Sequence, residues 1–257
     1  MSYNFILYEE LENVGLISLN RADKRNALSR ALLLELTQLL NDITAKQRVN
    51  VVIIKGLGQM FSAGHDLKEV YASNAQDLLR LFQTCYLTMR AIRETPQPVI
   101  AQVHGIATAA GCQLVAACDL AVASQDAQFG TPGVKIGLFC STPAVFLSRN
   151  VGRKKAMEML LTGEFITAQD AIIHGLVNKA VPPEELEKAT LEMAKKIAGY
   201  SASAIVTGKK MFYQQINMED FQALNYASEV ITLNSTTQDA KEGISAFLEK
   251  RKPHWKD

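Results

Sequence analysis

Residues 98–124 read PVIAQVHGIATAAGCQLVAACDLAVAS. PVIAQVHG is a short, continuous apolar run that follows the helix-stopping prolines Pro96 and Pro98, the pattern of a strand buried on both faces. GCQLVAACD has the small side chains of a helix lying close on a sheet, and LAVAS is a second buried run. Strand, turn, helix and strand in this order form the repeating unit of an α/β protein.

The same order recurs on either side. FILYEEL and LISLN are β-rich runs spaced as a hairpin around Glu12-Asn13-Val14-Gly15. Leu28, Leu32, Leu36 and Leu39–Leu40 give residues 26–42 the period of an amphipathic helix, opened by Ser29 or Asn26. VNVVIIKG reads as a buried strand closed by Gly56, MFSAGHDLKEV as a turn entering a helix, and residues 75–94 as a helix running to Pro96. Residues 144–161 read as one helix stopped by Thr162-Gly163; Thr167 with Asp170 forms an acidic capping box, and Gly175 ends AQDAIIH. From about Pro183 the patterns are helical throughout: EELEKATLEMAKKIAGY, then 205–216, then 218 to about 250. Such a tail cannot bury its apolar face alone, so it is expected to pack on the core or on another subunit. The expected division is a core over 1–198 and a helical C-terminal region over 199–257.

The chain of 257 residues, 48% of them hydrophobic, can bury a full core. With 27 Lys and Arg against 26 Asp and Glu the net charge is +1, so no global field draws the protein to nucleic acid or to an anionic membrane. No apolar run approaches the length of a membrane span, and MSYNFILYEE lacks a basic segment ahead of a long apolar one. A cytoplasmic location is expected, unless a longer precursor has been trimmed. Cys85, Cys112, Cys118 and Cys140 form no C-x-x-C pair, which predicts reduced, buried thiols and no metal site.

Three turns stand out as candidates for chemistry: RADKRNAL (21–28), FSAGHDLKE (61–69) and GIATAAGCQL (105–114). In the last two, a β-rich run passes through small residues into a helix, where free N–H groups face an approaching ligand. Close helix–sheet packing produces the same pattern. Neither turn matches G-x-G-x-x-G or a Walker loop, which argues against dinucleotide or ATP binding.

These turns, together with FGTPGVKIGL, LLTGEFITAQDAIIHGLVNKAVP and the terminal FLEKRKPHW, occur in an order that resembles the crotonase, or enoyl-CoA hydratase/isomerase, superfamily. The resemblance runs from about residue 5 to the C-terminus. It implies a crotonase-like spiral of ββα units, a helical C-terminal region that drives homotrimers or hexamers, and an acyl-CoA thioester as ligand, with coenzyme A part of the substrate and no other cofactor. It also implies that the main-chain amides of His65 and Ala110 form an oxyanion hole for the thioester oxygen as it becomes an enolate. Coenzyme A would be positioned by Ala63, Gly64, His65, Asp66, Leu67 and Lys68 and by Lys24, Arg25, Asn26 and Ala27, while Gly111, Gly133 and Cys140 would line the substrate. Lys250-Arg251-Lys252 would reach a phosphate or end a solvated helix.

Hydratases of this superfamily carry two glutamates, which by resemblance would stand at Gln113 and at or beside Gly133. No Asp or Glu occurs from Thr95 through Cys118 or from Gln128 through Met157. An amide does not titrate near neutrality, so Gln113 orients a water or carbonyl without acting as a base. Ordinary hydratase activity is therefore not expected. The alternatives are an acyl-CoA-binding protein without catalysis, or a decarboxylase or hydrolase using His65 or Cys140; Cys140 reads as a nucleophile or as a structural thiol. His104 reads as a satisfied core histidine, Asp66 as the cap of the following helix, and Asp119 as a packing residue.

Overall fold

The computed structural model describes residues 3–256. Its elements are β1 (Ile6–Leu11), β2 (Val14–Leu19), α1 (Arg30–Lys46), β3 (Val51–Gly56), α2 (Leu67–Ala72), α3 (Ala75–Glu94), β4 (Val99–Val103), β5 (Ile106–Thr108) and α4 (Ala110–Ala117). They continue with β6 (Leu120–Ser124), β7 (Gln128–Gly130), α5 (Ser141–Asn150), α6 (Arg153–Thr162), β8 (Phe165–Thr167), α7 (Ala168–Ile173), β9 (Lys179–Val181), α8 (Leu186–Ala198), α9 (Ala202–Gln215), α10 (Asp220–Ser235) and α11 (Gln238–Leu248).

Among the described residues two sheets form. The larger has the order β1-β2-β3-β4-β6-β9, with β1 antiparallel to β2 and every other pair parallel. Its apolar runs are buried on both faces: Val52 and Ile54 join the core shared with α1, α3 and α4, whereas Val51 and Ile53 face Leu186, Ala189 and Ala194 of α8. The smaller sheet, β5-β7-β8, carries the turn that leads into α4.

Ser29 caps α1 by accepting from the Leu32 amide, and α3 spans 75–94 as its pattern predicts. Besides α1, expected over 26–42 and running Arg30–Lys46, three boundaries differ from expectation. The hairpin turn is only Glu12-Asn13, because Val14 and Gly15 already pair with Leu11 and Glu10. The helix expected over 144–161 is two, broken at Val151-Gly152 where the Asn150 side chain bonds the carbonyls of Phe146 and Ala116 instead of letting the helix continue. The helix expected from 218 to about 250 is also two, because Thr237 caps a new start at the Ala240 amide.

The C-terminal helices are fastened to the core by polar staples. The Lys209 ammonium on α9 donates to Asp119 Oδ2 (2.7 Å) and to the carbonyls of Ile92 and Gln97, while the Tyr213 hydroxyl donates to Asp119 Oδ1 (2.7 Å). Asp119 also accepts from the Val99 amide, so the packing role read from the sequence is the observed one. Farther along, the Trp255 indole donates to the Gly199 carbonyl. Neither α9 nor α10 buries a single residue fully.

The Lys209 and Asp119 side chains are only 8% and 13% exposed, so losing one partner strands a desolvated charge. Burial lowers the Lys209 pKa and Asp119 opposes that shift. Lys209→Met is expected to reduce unfolding free energy by about 3 kcal/mol in a denaturant titration.

Candidate active site

The 61–64 turn is assembled by main-chain hydrogen bonds between segments far apart in sequence. The Phe61 amide donates to His104 O and the Ser62 amide to Ile106 O, and the Thr108 amide returns a bond to Ser62 O. The 61–64 loop thus joins the edge of β5. On its other side it is held by 21–28: Ala63 N donates to Arg25 O (2.9 Å), Leu28 N to Gly64 O (2.7 Å) and Ser62 Oγ to Asn26 O (2.9 Å).

Asn26, fully buried, fixes this arrangement. Its side-chain amide donates to Leu57 O and Met60 O, and its Oδ1 accepts from the Arg21 amide. Arg21 in turn donates to Ala27 O and pairs with Asp66 Oδ2 at 3.0 Å. Asp66 also accepts from the Lys68 amide, which makes it the cap of α2 as expected.

Gly64 adopts φ +82, and a Cβ there would lie 2.8 Å from Thr108 O and 3.2 Å from the Ala110 nitrogen. The two turns are therefore in direct contact at the residues singled out for the oxyanion hole. Ala109, at φ +50 and ψ −117, turns the chain from β5 into α4 in one residue; its amide donates to Gly130 O and its carbonyl accepts from Gln113 N. A conformation this unfavourable for an L residue costs about 1–3 kcal/mol and persists only where the surroundings impose it. Among the described residues, no acceptor pairs with the amide of His65 or of Ala110.

The expected site residues fall into groups. Arg25, Ala27, Ala63, Gly64, His65, Asp66, Ala110 and Gly111 belong to the zipped turns, with Lys24, Leu67 and Lys68 on their exposed ends. Gly133 and Cys140 meet each other on the loop after β7: a Cβ at Gly133 would be 2.7 Å from Leu138 O and 2.8 Å from Cys140 Sγ. Of the terminal basic run, Arg251 is engaged by Glu242 and Glu249. His104 is half-buried and bonds Gly58 O through its Nε2.

Burial holds the His65 and Cys140 side chains in their neutral forms. The His65 ring packs edge-on against Phe82, centroids 5.2 Å apart, and burial pushes its pKa from 6.5 down to about 4. At neutral pH it is an uncharged imidazole and a weak base. Burial pushes the Cys140 thiol upward and so keeps it protonated, which speaks against the nucleophile reading; all four cysteines are free and buried. Sequence reasoning missed Thr108 and Thr131, whose hydroxyls are buried without a partner, as are His65 Nε2 and Gln113 Oε1. Nothing in a lone threonine among small residues announces this. A hollow of about 1120 Å³ lies at the far end of α4, lined by Arg93, Asp119, Phe146, Lys209 and Tyr213, and contains none of the expected site residues.

Three outcomes follow from this geometry. Gly64→Ala is expected to lower unfolding free energy by about 2–3 kcal/mol, through its positive φ plus the collision with Thr108 O. Gly137→Ala, with φ +78 and nothing within 4 Å, is expected to cost only about 1 kcal/mol in the same denaturant titration. Because the His65 pKa is depressed in the folded state, the unfolded chain takes up this proton first as pH falls. Stability should therefore decline from about pH 6.5 toward pH 4, by about 3 kcal/mol, and His65→Gln should flatten that part of the profile.

The family model described as enoyl-CoA hydratase/isomerase matches residues 9–257. The human enoyl-CoA hydratase domain-containing protein 3, mitochondrial, is 48% identical over 248 residues, covering 96% of this chain and 82% of that protein. A probable enoyl-CoA hydratase of Rhizobium meliloti is 33% identical over 100% of this chain and 99% of its own. The crystal structure of a Mycobacterium smegmatis enoyl-CoA hydratase superposes with a TM-score of 0.97 at 46% identity, covering 99% of this chain and 100% of that one. These solved structures bear out the expected crotonase-like spiral with its helical C-terminal region. The cytoplasmic expectation is overturned: animal relatives 44–49% identical to this chain carry mitochondrial names. Location is addressed by receptor-read signals that the folded domain does not encode, so the composition used for that expectation carries no information about it. By sequence and by fold, the chain belongs to the enoyl-CoA hydratase/isomerase family.

Proposed function

We propose that this protein binds an acyl-CoA thioester and stabilises negative charge on its carbonyl oxygen with the main-chain amides of His65 and Ala110. The observation that carries the reading is the approach of Gly64, the neighbour of His65, to the Ala110 nitrogen, on a main-chain frame that gives the amides of His65 and Ala110 no acceptor among the described residues. Donors fixed before the reaction need no reorganisation as charge develops, and each such donor contributes about 3–4 kcal/mol in known cases. Coenzyme A arrives as part of the substrate, and the reading requires no metal or further cofactor. The segments 24–27 and 63–68 would hold it largely through main-chain groups.

Hydration of an enoyl thioester adds hydroxide to the β carbon and a proton to the α carbon, and both transfers need a group that titrates near neutrality. Gln113 does not titrate, Gly133 has no side chain, His65 is a weak base and Cys140 is held as a thiol. Hydration is thus expected to be slow, with His65 and Gln113 orienting substrate or water. The second reading, decarboxylation, is favoured by the same lack of a base. Loss of CO₂ leaves its electron pair on the α carbon as the enolate and asks for no base, only for the two amides. Association into a homotrimer or hexamer is part of the proposal, supported by the exposed apolar residues Phe212, Phe221, Leu233, Phe247 and Leu248 on α9–α11.

Crotonyl-CoA hydration by the wild type and by Gln113→Glu, alongside CO₂ release from malonyl-CoA and methylmalonyl-CoA, tests these readings. The wild type is expected to hydrate about 10²-fold or more slowly than an enzyme with a carboxylate pair, and Gln113→Glu to recover part of that deficit. Wild-type turnover at ordinary hydratase rates would refute the importance of the missing carboxylates. CO₂ release would instead establish decarboxylation.

A further inference from the structure

Ser62 is a polar residue with no exposure at all. Its main chain lies along β5: a bridge pairs it with Ala107, its amide donates to Ile106 O and its carbonyl accepts from Thr108 N. These bonds set the loop against the strand that leads to Ala110. The side chain holds the next turn of the loop. Its hydroxyl donates to Asn26 O (2.9 Å) and accepts from the Gly64 amide (3.2 Å). Among the described residues the Gly64 amide has no other acceptor.

Ser62 also touches the start of α4. A Cβ at Gly111 would lie 2.5 Å from Ser62 O, 2.9 Å from its Cβ and 3.0 Å from its Oγ, so the helix backbone rests directly on this residue. Gly64 precedes His65, and Gly111 follows Ala110. One side chain therefore meets the immediate neighbours of both amides, and a hydroxyl can donate to one partner while accepting from another.

We infer that Ser62 is a positioning residue, whose hydroxyl fixes the peptide leading to His65 relative to the one that follows Ala110. This rests on the acyl-CoA reading above and assigns the spacing of its two amides to one buried side chain. Alanine in its place would leave the Gly64 amide and Asn26 O unpaired in a buried site, a cost relieved by turning the Gly64 peptide toward another acceptor. Gly64 has no side chain to resist that turn. The His65 amide follows directly in the chain and would be re-aimed. A fastening role alone predicts something different: lower stability, with the bound ligand unchanged.

Isotope-edited infrared difference spectroscopy of butyryl-CoA, with and without a labelled thioester carbonyl, reads the hydrogen bonds to that oxygen at saturation and without turnover. In the wild type the bound carbonyl stretch is expected to fall below its value in buffer. Ser62→Ala is expected to lose at least about half of that shift, as when one of two donors is displaced. Ser62→Cys, similar in size but weaker in both hydrogen bonds, is expected to fall between them. A full wild-type shift in both variants, whatever their stability, overturns the inference and leaves the acyl-CoA reading intact. Absence of any shift in the bound wild type removes the oxyanion hole, and failure of butyryl-CoA to bind removes the acyl-CoA reading; the inference falls with either. Should Ser62→Ala fail to fold, Ser62→Cys decides by the same rule, a reduced shift supporting the inference and a full one overturning it.

Discussion

The site depends on one constraint: the 61–64 loop has no regular structure of its own and is held in place by main-chain bonds to segments some 40 residues away on each side. Ser62 exchanges hydrogen bonds with Ile106 and Thr108, and the next two residues are bonded to Arg25 and Leu28. Among the described residues these bonds leave the His65 amide without an acceptor, where an irregular loop would normally satisfy its N–H with water. Asn26 makes the constraint rigid, because its side chain satisfies Leu57 O, Met60 O and Arg21 N at once. A carbonyl ligand would then meet donors whose orientation was settled by folding, which is the condition under which such donors act most strongly.

The same frame explains how a charged ligand could be handled by a protein with almost no net charge. The field at the turn comes from main-chain dipoles at the start of α4, while the other end of that helix is closed by Arg93, whose guanidinium donates to the carbonyls of Ala116 and Ala117. Arg93 lies over the rings of Phe146 and Tyr213, 5.0 and 4.4 Å from their centroids, and Tyr213 belongs to α9. Lys209 and Tyr213 both bind Asp119, two residues beyond α4. One helix therefore bears free donors at its first residue and the attachment of the C-terminal helices at its last.

Much of this was legible in the sequence wherever a pattern has one physical cause. β-rich or continuous apolar runs and period-3.6 patterns located the long strands and helices, Thr167 with Asp170 formed the capping box, and the turns 61–69 and 105–114 contained the paired segments. Three-residue strands such as β5, β7 and β8 were not legible, because three residues show no period and their existence depends on the partner strand. Helix breaks at Val151-Gly152 and at Thr236-Thr237 were hidden because Thr and Asn side chains terminate helices only where a local partner competes with the backbone. The neutrality of His65 was hidden too, since it arises from burial beside Phe82 on α3.

At Gly133 the packing itself excludes a carboxylate side chain. In a pocket with slack, replacing glycine by glutamate would need only a rotamer. Here any Cβ at 133 would sit 2.7 Å from a main-chain carbonyl and 2.8 Å from the Cys140 sulfur, so the 138–140 segment would have to move before a carboxylate could be placed. Cys140 is 8% exposed, and that segment leads directly into α5, which packs on α4. Gln113 is different: glutamine and glutamate are nearly isosteric, so a carboxylate fits that position sterically and is opposed only by desolvation. The two positions are thus unequal in what they permit. A carboxylate at 113 is a single exchange away, whereas one at 133 requires the loop after β7 to be rebuilt.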